Sequence, residues 1–211
     1  MVVALFVIIL AAVFFGAWTY LFKDRTTTLD PLVTETAHLK GAAGAPVSVV
    51  VFSDFLCKDC AVLARDVLPK LEAEFIETGV ARLAYRHYPL DGEDALRAAI
   101  ASECAAREGK FWEMHDILYG WRATGRFSAM PLELARQLAV GVGVSPRTFD
   151  RCVSDASAIG AIERDLLDGF SLGIARLPAV YVNGAYAGPA IDYTRLRALV
   201  LVAATADRQL P

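Results

Sequence analysis

The sequence lacks any excess of basic residues: Lys and Arg total 21 against 24 Asp and Glu, a formal net charge of −3. With both signs interspersed, a nucleic-acid-binding surface is not expected. There is no internal repeat and no low-complexity tract, and 211 residues suit one well-packed domain plus an accessory element. Histidine and cysteine are scarce, at three and four. His38, His87 and His115 form no spaced pair, and Cys104 and Cys152 stand isolated in separate predicted helices. Structural zinc needs a second ligand pair at tight spacing, so no metal site is assigned.

Charge is missing altogether from Met1 to Phe22, which explains part of the 55% hydrophobic content. This run is long enough to cross a bilayer as a helix, and Trp18 and Tyr20 near its end suit the membrane interface. A cleaved secretory signal is the alternative. Against it stand the absent basic n-region, the length of the apolar run and the lack of a small-x-small site before Lys23. An uncleaved anchor is therefore the expectation. Lys23 and Arg25 just after the span would, by the positive-inside rule, leave the rest of the chain in the cytoplasm.

Beyond the span, residues 23–45 are polar, then small, and read as a tether with order beginning near Pro46. The stretch "VSVVVFSDF" is a continuous β-branched run, as in a strand buried on both faces. Lys58 to Thr78 then shows helical spacing of Leu63, Val67, Leu68, Leu71 and Phe75, with Pro69 placed to kink it. The run "ARLAYRHYPL" is a second strand, so a parallel strand–helix–strand unit is predicted. Helical patterns fill 92–173, broken near Gly109, with Ser145 as N-cap before Pro146. Strands return at "PAVYVNGAYAGP" around an Asn183-Gly184 turn, and a last helix runs from about Tyr193 to Ala206.

The pair Cys57 and Cys60, in "VFSDFLCKDC", falls at the first strand-to-helix junction. A sulfur at the N-cap lies beside unpaired amides and the positive end of the helix, which favours thiolate over thiol. Cys57 is thus the expected nucleophile, and Cys60, one turn on and more buried, the resolving thiol. Between them Lys58 favours the thiolate and Asp59 opposes it, so the two are assigned as tuning residues whose charges partly offset. Cu(I) capture by the dithiol and a purely structural Cys57–Cys60 bond are the alternatives. Phe111, Trp112 and Met114 are assigned to the core, His115 to a structural role, and His87 to a conceivable tuning role.

Together "VFSDFLCKDC", "YRHYPLDG", "ECAAREGKFWEMHDILY", "FDRCVSD" and "GIARLPAVYVNGAYAG" resemble the DsbA-like thiol:disulfide oxidoreductases, members of the thioredoxin superfamily with a helical insertion. The resemblance runs from about His38 to about Val202. It implies an α/β thioredoxin-like fold in two parts, 46–91 and 174–207, around an insertion at 92–173; the apolar run and the polar stretch after it add one transmembrane helix at 1–22 and a linker at 23–45. It implies a cis Leu177–Pro178 bond opposite the dithiol, where an extended substrate could pair with the Leu177 backbone by strand addition. Four cysteines allow three pairings. The resemblance favours a second, structural disulfide between Cys104 and Cys152, with two buried free cysteines as the alternative. Such a bond places the domain in an oxidising compartment, outside the bacterial cytoplasmic membrane, against the signal of Lys23 and Arg25.

The implied activity is protein disulfide oxidoreduction with no cofactor beyond the redox-active disulfide. The implied partners are exported proteins bearing thiols and a membrane quinone-linked reoxidising protein. An oxidase is expected; a reductase or isomerase of the same fold, and a copper-binding or chaperone module without turnover, are the rivals. Two departures stand out. The intervening dipeptide does not begin with proline, and Val51 occupies the position where many relatives carry a buried acid. Asp54 is the nearer carboxylate, readable as a proton acceptor or as a strand-end turn residue.

Overall fold

A computed structural model describes residues 30–125, 129–155, 157–189 and 192–207. The expected span at 1–22 lies outside them, and among the described residues no helix is long and apolar enough to cross a membrane. The strands are β1 (His38–Lys40), β2 (Val47–Ser53), β3 (Ala81–His87), β4 (Ala179–Val182) and β5 (Ala185–Gly188). They form one sheet in the order β1-β3-β2-β4-β5, with β2 and β3 parallel and every other pair antiparallel.

All seven residues of β2 are buried, which is why its sequence does not alternate. On one face Val47, Val49 and Val51 meet Leu63, Val67, Leu68, Leu71 and Phe75 from the helical stretch 58–76. Leu196 and Val200 of the last helix cover the same face. The other face carries Val50, Phe52, Tyr88 and Tyr181.

The helical stretch (α1) differs from the single kinked helix expected. It alternates α turns at Lys58–Val62 and Leu68–Leu71 with π-type turns at Leu63–Val67 and Glu72–Ile76. The Leu68 N–H reaches back five residues to Leu63 O just ahead of Pro69, so the wider turn accommodates the imino acid that brings no N–H of its own.

The insertion follows as α2 (Gly92–Ala106), α3 (Phe111–Ala123), α4 (Leu132–Gly141), α5 (Pro146–Ser154) and α6 (Ser157–Ser171), and α7 (Tyr193–Asp207) closes the chain. The break between α2 and α3 carries Gly109 at φ +69°, the left-handed backbone that glycine tolerates. Ser145 Oγ accepts the Thr148 N–H and caps α5 as expected. Asn183 and Gly184 both have positive φ, the condition of the tight hairpin turn their sequence predicts.

The expected tether is partly structured instead. Its residues His38–Lys40 pair antiparallel with β3, and Lys40 Nζ lies 2.9 Å from Glu72. Further upstream, Asp30 accepts the Leu32 N–H and the Ser48 hydroxyl. Order thus begins well before Pro46.

Cys104 of α2 and Cys152 of α5 are joined at an S–S distance of 1.98 Å, both in the core of the insertion beside Met114, Leu118 and Phe149. The bond spans 48 residues. Loop-closure entropy for such a span amounts to about 4 kcal/mol. The Cys104→Ala/Cys152→Ala protein is expected to lose up to about that much stability, read as a lower urea midpoint, with a slope that rises because the unfolded chain is no longer cross-linked.

Candidate active site

The sheet delivers the dithiol at the carboxyl end of its central strand. Leaving β2, Asp54 turns the chain: its Oδ1 accepts the Leu56 N–H at 2.8 Å, and its Oδ2 accepts the N–H groups of Leu90 and Asp91 at 2.8 and 3.0 Å. Its carbonyl accepts the Cys57 N–H. Burial raises the Asp54 pKa against the lowering pull of these three amides. Of the two readings of Asp54, the geometry supplies the turn residue that clamps the loop before Cys57.

Cys57 is the N-cap of α1, in extended backbone, and its Sγ accepts the Cys60 N–H at 3.1 Å. Both cysteines are free thiols; Cys57 is half-buried and Cys60 buried. The Cys57 pKa is lowered, first by the hydrogen bond from the Cys60 thiol and then by the Cys60 and Asp59 amides, against burial and the Asp54 charge. Cys60 goes the other way: burial pushes its thiol far up, and its role as donor to Cys57 adds to that. The two sulfurs are thereby split into an accessible thiolate and a deep thiol.

Lys58 and Asp59 are exposed, so their side-chain charges act through solvent, while Asp59 contributes its backbone N–H to the sulfur. The Leu177–Pro178 bond is cis, and Leu177 lines one open cleft of about 500 Å³ with Cys57, Leu90, Arg122 and Arg176. Arg122 also donates to the Leu56 carbonyl, tying α3 to the active-site loop. Cys104 and Cys152 lie apart from the dithiol pair, bonded to each other.

Beneath Cys60 lies a set of hydroxyls that no local signal marks. Ser53 Oγ and Tyr119 Oη are 2.7 Å apart, Tyr85 Oη donates to the Ser53 carbonyl, and Tyr119 Oη donates to the Asp54 carbonyl. Phe55 packs against both tyrosine rings. Val51, by contrast, faces the α1 side, in the apolar cluster with Leu63, Val67 and Leu71. The polar surroundings of the deep thiol are therefore hydroxyls rather than a carboxylate at that position.

The split has a measurable signature. Alkylation of the reduced protein by iodoacetamide is expected at Cys57, with a midpoint below that of an ordinary thiol and no reaction at Cys60. Removing the largest lowering contribution, by Cys60→Ala, moves that midpoint back up. Because the folded pKa of Cys57 lies below the unfolded one, its contribution to the stability of the reduced form is fully present above the unfolded value. It is lost as pH falls through the folded value.

Residues 33–201 match a family model described as Thioredoxin. The chain is 26% identical over 160 residues to "Disulfide bond formation protein D" of Bacillus subtilis, covering 74% of this chain and 72% of that one. It is 30% identical over 174 residues to "Probable disulfide bond formation protein D" of Bacillus cereus, covering 81% and 80%. It also resembles part of "Na(+)/H(+) antiporter NhaA 3" of Salinispora tropica, 29% identical over 89% of this chain but spanning 27% of the antiporter. Among solved structures, BdbD of Bacillus subtilis in its oxidised form superposes with a TM-score of 0.76 at 24% identity, covering 81% of this chain and 94% of that one, a likeness of fold.

Proposed function

This chain belongs to the thioredoxin family as a DsbA-like protein disulfide oxidoreductase, and from that premise we propose that it is a membrane-tethered oxidase forming disulfides in exported proteins through Cys57 and Cys60. The observation that carries the reading is Cys57 at the N-cap of α1, its Sγ accepting the Cys60 N–H and open to the cleft, with Cys60 buried behind it. In the oxidised enzyme a substrate thiolate attacks Cys57 Sγ, the sulfur that opens to the cleft. The Cys57–Cys60 bond breaks, its electron pair passes to Cys60, and a proton restores the buried thiol. A second substrate thiolate then attacks the substrate sulfur of the mixed disulfide and expels Cys57 as a thiolate. The substrate dithiol is oxidised by two electrons and the enzyme disulfide reduced by two. A stabilised Cys57 thiolate is a good leaving group and favours the reduced enzyme, the condition for an oxidant.

An extended substrate segment would pair with the backbone of Leu177, which lines the same cleft as Cys57. Reoxidation falls to a membrane quinone-linked protein, and an anchor at 1–22 would raise the effective concentration of that partner. The domain then faces the periplasm or cell exterior.

The test is a measured redox potential beside oxidative refolding of a reduced substrate and insulin reduction on the same sample. An oxidase has a potential well above about −270 mV, the thioredoxin value, and refolds better than it reduces. A potential at or below that value, with efficient insulin reduction, overturns the oxidase reading in favour of a reductase.

A further inference from the structure

Two of the three histidines in the chain converge on one carboxylate that the dithiol chemistry does not use. In the antiparallel register of β1 on β3, His38 stands opposite Tyr85. His87, two residues further along β3, is therefore its diagonal neighbour on the same face of the sheet. Helix α2 crosses that face and brings Glu103. His38 Nε2 lies 2.6 Å and His87 Nε2 2.9 Å from the same oxygen, Glu103 Oε1.

All three atoms fall within 4.8 Å of one another. Among the described residues the hydrogen-bonding and ionic partners of the Glu103 side chain are these two imidazoles, with no lysine or arginine. His87 is buried, while the side chains of His38 and Glu103 keep 16% and 12% exposure, so the cluster opens to solvent on one side. Phe111 stacks on His38 at a centroid distance of 3.5 Å and fixes its ring.

We propose that His38, His87 and Glu103 form a binding site for a first-row divalent transition-metal ion of the zinc class. Two imidazole nitrogens and one carboxylate are the donor set such ions take, with the remaining coordination positions open to water. Nitrogen donors disfavour calcium and magnesium. An ionised carboxylate only accepts, so in the metal-free protein both imidazoles present Nε2–H to it; the ion takes the place of those two hydrogens, and each ring carries its proton on Nδ1. The bound ion would fasten the short edge strand β1 to β3 and to α2 in one step. The site is independent of the disulfide exchange.

The test uses the tag-free, full-length Cys57→Ser/Cys60→Ser protein, since the dithiol would itself capture metal. Co²⁺ is titrated by visible absorption and then displaced with Zn²⁺. One equivalent of Co²⁺ is expected, with d–d bands and no thiolate charge-transfer band in the near ultraviolet. Glu103→Gln, nearly isosteric, and His38→Ala each weaken Zn²⁺ binding tenfold or more, and Lys40→Ala on the same strand leaves it unchanged. Near-ultraviolet circular dichroism of each metal-free variant checks that it folds. If Co²⁺ and Zn²⁺ show no saturable binding, or bind Glu103→Gln as tightly as the parent, the site does not exist.

Discussion

Cys57→Ser is expected to abolish disulfide transfer, a fall of several orders of magnitude, and Cys60→Ser abolishes it too, since neither variant can form the Cys57–Cys60 disulfide that oxidises a substrate. The thiolate is the nucleophile and leaving group of exchange, and a hydroxyl in its place is neither. Cys57 is the sulfur that reaches the cleft, so without it no mixed disulfide forms. Cys60 is buried behind it; when the Cys57 thiolate attacks a disulfide in a client protein, the reverse direction of exchange, Cys60 is the thiol that releases the mixed disulfide. The Cys60→Ser protein should therefore accumulate substrate bound through Cys57, visible as thiol-reducible bands on a nonreducing gel. A dithiol that serves only to hold Cu(I) would lose metal in both variants and trap nothing. If Cys57→Ser retained full turnover, the assignment of the nucleophile would be wrong.

Asp165→Ala is expected to be strongly destabilising, at about 3–5 kcal/mol, because it strands a buried cation. Arg86 and Asp165 are both fully buried, with Nε and Oδ1 2.5 Å apart. Asp165 also accepts the Thr36 hydroxyl at 2.6 Å and the His87 N–H at 2.8 Å, so one carboxylate joins the segment before β1, the end of β3 and α6. Asp168, at 48% exposure, holds the other end of the guanidinium. Asp168→Ala should cost about 1 kcal/mol or less, since solvent can take its place. Thermal unfolding would separate the two, with a drop on the order of 10 °C for Asp165→Ala. Equal melting temperatures for the two variants would show that the buried pair does not anchor these elements.

The parts of the fold that were legible in the sequence are those whose signal is local. A continuous β-branched run marks a strand covered on both faces, and β2 is such a strand. Ser145 before Pro146 and Asn183 before Gly184 act through their own backbones, and both do in the structure what their chemistry dictates. The Cys57–Cys60 pair at a helix start belongs to this class. What escaped is set by residues distant in sequence. Strand β1 has three residues, too few to show a period against a polar background, and its place is fixed by pairing with β3.

The π-type turns of α1 leave no pattern, because the helical spacing of apolar residues survives them. Tyr119 meets Ser53 across 66 positions, and His38 meets Glu103 across 65. Neither pair carries a motif. The Asp54 carboxylate is visible as a residue near the dithiol, but its two amide donors, Leu90 and Asp91, come from the loop between β3 and α2.

The Cys104–Cys152 bond has a consequence for a protein that trades in sulfur–sulfur bonds. Both residues are wholly enclosed by the insertion core. An attacking thiolate must reach a sulfur in line with the bond it breaks, and here no path leads to one. Clients and small reductants therefore find a single exchangeable pair, and the molecule can be discharged and recharged repeatedly without unpicking its own scaffold.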